Sequence, residues 1–138
     1  MKTMPLFPTP TEWVAPETFP NLSTAKEIAI DLETCDPNLE SFGPGWPRGD
    51  GYIVGYAIAV EGWSGYYPVA HAGGGNLDKR LVERWIKDVL ATPADKIMHN
   101  AAYDAGWLGA SGFTINGRIV DTMLAAPLLD ENRFSYSL

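Results

Sequence analysis

The stretch that decides the fold is Glu27-Ile28-Ala29-Ile30-Asp31-Leu32-Glu33. Ile28, Ile30 and Leu32 alternate with Ala29, Asp31 and Glu33, the period-two pattern of a strand with one apolar face. Side chains at i and i+2 project from the same side, so Asp31 and Glu33 stand together on one spot of that strand. Two adjacent carboxylates on an apolar strand repel unless a cation lies between them or water solvates both. A metal site and a solvated strand end are both open from this stretch alone.

Downstream lies a turn-rich connection from Cys35 to Gly51 containing Gly-Pro-Gly-Trp-Pro-Arg-Gly-Asp-Gly. It is long for a link inside a compact domain, and such links often carry function. Tyr52-Ile-Val-Gly-Tyr-Ala-Ile-Ala-Val reads as a second strand. Glu61-Gly62 turns it into a third around Gly65-Tyr-Tyr-Pro-Val-Ala, an antiparallel hairpin. After Gly73-Gly-Gly, Asn76 is expected to cap a helix from Leu77 to about Leu90. Its apolar face is Leu77, Leu81, Val82, Trp85, Ile86 and Val89, with Glu83 and Lys87 paired across one turn. Lys96-Ile-Met-His is a short strand, and Asn100 to Ser111 has helical spacing stopped by Gly112. Arg118-Ile-Val-Asp is another strand, and Thr122 to Asp130 a helix kinked at Pro127. A three-stranded meander followed by strand–helix alternation implies an α/β domain with a mixed five-stranded sheet.

Upstream, residues 1–24 carry five prolines and read as an extended arm, with Trp13, Val14 and Phe19 as anchors; the body is residues 25–138. Hydrophobic residues make up 46% and charged residues 20%, which supports a packed core and excludes global disorder. Ten Lys plus Arg against seventeen Asp plus Glu give a net charge of −7. A broad basic nucleic-acid face is excluded, but divalent cations can make an acidic site tolerate phosphate. The single Cys35 excludes an intramolecular disulfide scaffold. With no apolar run of about eighteen residues and no signal-peptide pattern, the expected setting is cytoplasmic, with no membrane partner.

A second constellation is His99-Asn-Ala-Ala-Tyr-Asp, crossing from strand to helix. Asn100 and Asp104 are i,i+4 neighbours at the helix N-terminus, and that end faces the carboxyl edge of the sheet. An Asn cap with a dipole-complementing Asp is the alternative. Beside Asp31 and Glu33, however, three carboxylates with Asn and Tyr are what two hard cations and a nucleotide need.

Asp31-Leu-Glu-Thr, His99-Asn-Ala-Ala-Tyr-Asp, Asp121-Thr-Met-Leu-Ala-Ala and Tyr67-Pro-Val-Ala-His71 with Gly73-Gly-Gly-Asn76 closely resemble one family. It is the proofreading 3′–5′ exonuclease domain of DNA polymerase I-type (family A) enzymes, especially phage members, within the four-carboxylate (DEDD) exonucleases of ribonuclease H-like fold. The resemblance covers residues 27–138. It implies that Asp31, Glu33 and Asp104 are catalytic and ligate two Mg²⁺ or Mn²⁺ ions. It implies that Leu32, Thr34, Asn100 and Tyr103 contact the substrate, a single-stranded DNA 3′ end. Asp121 reads as the cap of the last helix rather than a ligand. The family's third motif, Tyr-x-x-x-Asp or His-x-x-x-x-Asp, is absent: no tyrosine has Asp four residues later, and His99 to Asp104 belongs to the second motif. The resemblance therefore implies a C-terminally incomplete domain whose isolated activity is lowered by orders of magnitude. The rest of a polymerase or a second chain would complete the site. Exposed apolar surface is expected near residues 123–138, favouring self-association or a partner. Two other functions share the fold: a non-catalytic binder of nucleic-acid ends or of a protein partner, and an RNA-trimming exonuclease. His71 reads as a local hydrogen-bonding residue, Cys35 as packing, and Trp46 as the tryptophan placed to stack on a base.

Overall fold

Ile28, Ile30 and Leu32 are buried while Asp31 and Glu33 are exposed, as the alternation requires, and they belong to β1 (Glu27–Cys35). A computed structural model describes residues 13–138 of the chain. In it β1 is the centre of a five-stranded sheet ordered β3-β2-β1-β4-β5. It runs antiparallel to β2 (Tyr52–Val60), which pairs antiparallel with β3 (Trp63–Pro68). On its other side β1 runs parallel to β4 (Asp95–Met98), and β4 parallel to β5 (Ile119–Asp121). The mixed meander-plus-βα architecture is thus present, with strand limits within about two residues of the sequence reading.

The two faces of this sheet differ. Ile28, Ile30, Tyr56, Ile58, Tyr67 and Met98 lie in one core with Val82, Trp85, Ile86, Val89 and Leu90 of α2 (Lys79–Ala91) and Trp107 and Leu108 of α3 (Ala101–Ala110). The opposite face presents Ala29, Asp31, Ala57 and Tyr66, and a cavity of about 480 Å³ opens there. Trp13 and Leu138 stand among its walls.

Three local expectations are corrected. The cap of α2 is Asp78, whose carboxylate accepts from the Arg80 amide at 2.9 Å, and Asn76 has another role described below. Leu81 is exposed, because burial falls on Val82, Trp85, Ile86, Val89 and Leu90 one position round the helix. The ion pair forms between Lys79 and Glu83 (3.8 Å) rather than Glu83 and Lys87, and the Tyr56 hydroxyl reaches Glu83 at 3.3 Å.

The connection from Cys35 to Gly51 is built rather than loose. It holds a one-turn helix α1 (Leu39–Phe42) and a 3₁₀ turn over Trp46–Arg48. Arg48 donates to the carbonyls of Phe42 (2.9 Å) and Gly43 (3.2 Å), and Asn38 donates to Asp50 at 2.9 Å. Trp46 lies flat enough on α3 that a β-carbon at Gly106 would overlap its indole, so this ring packs the segment onto the helix and is not a free stacking platform.

Of the arm, Met1 to Thr11 and Glu12 lie outside the described residues. Phe19 stacks on Tyr67 with ring centroids 5.5 Å apart, and Trp13 lies 5.9 Å from Tyr66, whereas Val14 is exposed. The carbonyls of Thr18 and Pro20 accept from the Tyr67 hydroxyl and the Trp85 indole, both at 2.8 Å. The arm is therefore laid along β3 and α2 by hydrogen bonds as well as apolar contact. At the other end α4 (Thr122–Leu129) exposes Leu124, Leu128 and Leu129, the last 89% accessible. Among the described residues no helix is long and apolar enough to cross a membrane.

Candidate active site

Asp31 and Glu33 sit side by side on the open face of β1, opposite Ala57 and Gly55 of β2. Asp104 reaches the same region from the first turn of α3. It is buried, at 3% accessibility, and its Oδ2 has no hydrogen-bond partner. Burial, then the charges of Asp31 and Asp121, push its carboxyl up to about 7. A buried carboxylic acid that shares the field of Asp31 and has an orphaned oxygen is a site with an unmet demand for positive charge.

How α3 begins explains why Asp104 is held there. Asn100 occupies the left-handed region (φ 66°, ψ 58°), a conformation asparagine tolerates better than most residues, and its side chain caps nothing. The opening amides of the helix are satisfied from outside. Asp121 accepts from Asn100 N (3.0 Å) and Ala101 N (2.9 Å), and also from Met123 N (2.9 Å) at the start of α4. Desolvation pushes the Asp121 carboxyl up, but four backbone amides, led by Ala101, outweigh it and hold it below its usual range. Asp121 caps two helices at once, which extends the single-cap reading.

Thr34 and Tyr103 meet directly: their hydroxyls are 2.8 Å apart. The Tyr103 hydroxyl also donates to Asp36 Oδ2 at 2.9 Å, and the same oxygen accepts from Gly45 N at 3.1 Å. Asp36 therefore ties β1, α3 and the 36–51 segment together, a role no motif signalled. Leu32 lies at 7% accessibility in the helix-covered core, so contact with a ligand can come only through its main chain. His99 bridges Thr122 (Nδ1, 2.9 Å) and the carbonyl of Tyr136 (Nε2, 2.5 Å), fixing the final residues beside the cavity.

The donor chemistry suits hard divalent cations, which take carboxylate oxygens. Among the described residues, however, no three His, Cys, Asp or Glu side chains stand close enough together to hold a metal ion. The buried, unpartnered Oδ2 of Asp104 is the feature that fits a cation.

Comparison with known proteins follows the same line. No protein-family model matches the chain. It is 38% identical over 142 aligned residues to a DNA-directed DNA polymerase of Pseudomonas phage M6, covering 97% of this chain and 21% of that protein. It is 32% identical over 123 residues to DNA polymerase DpoZ of Salmonella phage PMBT28, covering 87% of this chain and 17% of that protein. The chain thus spans about one-fifth of these relatives. Among solved structures it resembles Brucella melitensis NrnC with bound Mg²⁺ (TM-score 0.58, 21% identity, 86% of this chain and 53% of that one). It also resembles the polymerase domain of Pol1 from M. smegmatis, solved with DNA primer-template and dNTP (TM-score 0.56, 20% identity, 83% and 18%). The chain is thus similar over nearly its whole length to a segment of phage DNA polymerases, and it carries a ribonuclease H-like fold.

Proposed function

We propose that this chain is the 3′–5′ exonuclease (proofreading) segment of a phage DNA polymerase, hydrolysing nucleotides from a single-stranded DNA 3′ end with two Mg²⁺ or Mn²⁺ ions. The observation that carries the reading is Asp104, buried, unpartnered at Oδ2 and in the field of Asp31, at the opening of α3 in a chain related to phage polymerases. Divalent cations, when bound, supply the charge neutralisation and the lowered water pKa that phosphodiester hydrolysis needs. Asp31, Glu33 and Asp104 are the residues that hold them. That positive charge favours the ionised form of Asp104, whose carboxyl is raised to about 7, which couples readiness of the site to its loading. The hydroxyls of Thr34 and Tyr103, locked to each other and to Asp36, and the side chain of Asn100 face the terminal nucleotide. The main chain of Leu32 is its remaining contact.

A specific observation favours a second reading, a non-catalytic binder of nucleic-acid ends. It is the absence, among the described residues, of a ready three-ligand group. One assay separates the two: Mn²⁺-dependent degradation of 5′-labelled single-stranded DNA by the wild-type chain and by Asp31→Ala. A ladder shortening from the 3′ end, lost in the variant, supports the exonuclease. Undegraded DNA that is retained equally by both proteins, with or without Mn²⁺, overturns it in favour of the binder.

A further inference from the structure

The open face of the sheet carries a polar chain that the site described above does not use. In the ladder, Tyr66 of β3 pairs with Ala57 of β2, and Ala57 with Asp31 of β1. One row along, Glu33 pairs with Gly55. The Tyr66 ring leans from its own row into the next, so far that a β-carbon on Gly55 would overlap its hydroxyl. Any side chain at Gly55 would displace the phenol, and with glycine there the hydroxyl lies over the residue directly opposite Glu33. The phenol therefore stands on the open face beside the row that carries Glu33.

The hydroxyl is held from its other side. His71 Nε2 lies 2.5 Å away, and the two rings meet edge-on with centroids 5.8 Å apart. His71 is in turn clamped through its main chain. The Asn76 side chain accepts from His71 N at 2.7 Å and donates to His71 O at 2.9 Å. Gly74 and Gly75, with φ of 86° and 72°, make the left-handed turn that returns Asn76 to His71. This clamp is what Asn76 does in place of the helix cap expected of it. Glu33 is an acceptor when ionised, so the favourable polarity runs His71 Nε2–H to the Tyr66 oxygen, and the Tyr66 proton toward Glu33.

We infer that Tyr66 is a positioning residue for Glu33: its phenol, fixed by His71 and through it by Asn76, donates to one carboxylate oxygen and leaves the other for a cation shared with Asp31. This deepens the exonuclease reading and rests on it for the cation. Hydrogen-bonded partners of metal-ligating carboxylates set ligand orientation, and losing one typically lowers metal affinity about 10- to 100-fold.

The test has two arms on the full chain. In the first, without metal, a double-mutant cycle of Tyr66→Phe and Glu33→Gln is read in urea unfolding with EDTA present. The double variant's unfolding constant should depart from the product of the single effects by a factor of about 3 or more. Additive effects overturn the contact. In the second, Mn²⁺ affinity is measured by calorimetry. Tyr66→Phe and His71→Ala should weaken it about 10-fold, and His71→Gln, which keeps an N–H near the Nε2 position, should restore most of the loss. Wild-type affinity in Tyr66→Phe, with Glu33→Gln clearly weakened, overturns the positioning role while sparing the cation site. A coupled cycle in a wild-type chain that binds no Mn²⁺ overturns the exonuclease reading itself and, with it, the purpose assigned to Tyr66.

Discussion

Asp104→Asn should make the metal-free protein more stable at alkaline pH, and the size of the gain follows from the site. The Asp104 carboxyl is raised from 3.8 to about 7 by burial and by the charges of Asp31 and Asp121. Between those values the unfolded chain has released this proton while the folded chain still holds it. The native state then binds more protons, so stability contributed by the group falls as pH rises. Each pKa unit corresponds to about 1.4 kcal/mol, so the loss accumulates from pH ~4, reaches on the order of 4 kcal/mol near pH 7 and then levels. Asparagine keeps the shape and removes the titration. Urea unfolding of both proteins in EDTA, repeated from pH 4 to 8, isolates the group, because other ionisable residues largely cancel in the difference. The asparagine variant should draw level with the wild type near pH 4 and exceed it progressively up to pH 7. Saturating Mn²⁺ should close the gap by stabilising only the wild type, as binding to the native state does. A difference that stays flat from pH 4 to 8 would refute the placement of Asp104 in a buried, negatively charged site.

The remaining predictions concern how the site is braced. Asp121→Ala removes the carboxylate that accepts from the first amides of both α3 and α4, so losing both caps should lower stability by about 1–4 kcal/mol in urea unfolding. Lys96 is fully buried with its ammonium donating to the carbonyls of Thr92 (2.8 Å), Ala94 (2.9 Å) and Asn116 (2.7 Å). Lys96→Met leaves three carbonyls short of a charged donor and should lower the denaturation midpoint by the equivalent of about 2–4 kcal/mol; an unchanged midpoint would contradict the cluster. Gly106→Ala would gain about 1 kcal/mol on helix propensity alone, yet its methyl overlaps the Trp46 indole. It should therefore destabilise the chain and red-shift tryptophan emission as the 36–51 segment lifts.

What the sequence made legible was what period and spacing encode. The alternation in β1 placed Ile28, Ile30 and Leu32 inward and set Asp31 and Glu33 together outside, and the βα alternation after the hairpin gave the mixed sheet. The fold came through because burial is a pattern spread over many residues. The bracing of the site did not, because it depends on pairs far apart in the chain. Asp36 and Tyr103 are separated by 67 positions, and neither residue type announces the other. Asn76 illustrates the ambiguity of a single polar residue beside a glycine run. Its side chain could serve a helix amide or the loop's own backbone, and only the turn through Gly74 and Gly75 decides for His71. Leu81 fails for a smaller reason: the buried face of α2 runs through Val82, Trp85, Ile86, Val89 and Leu90, and Leu81 falls just outside it.

The way the carboxylates are distributed bears on how such a site stays folded before any cation arrives. Asp31 and Glu33 face the open side of the sheet, where water solvates them. Asp104 lies inside, where burial and the neighbouring charges push its carboxyl up to about 7. Asp121 is the fourth carboxylate of the neighbourhood and is stabilised as an anion by backbone amides, so its charge adds to the field that raises the Asp104 carboxyl. The fold therefore places an anion held by the amides of two helix starts next to a buried carboxyl of raised pKa with an orphaned oxygen. Replacing Asp121 by Asn should lower the Asp104 pKa toward the ordinary carboxylate range, a shift that carbon-13 NMR of the Asp104 carboxyl reads directly. A value still near 7 in that variant would show that burial and Asp31, the larger causes, set the Asp104 pKa and that Asp121 is purely a cap.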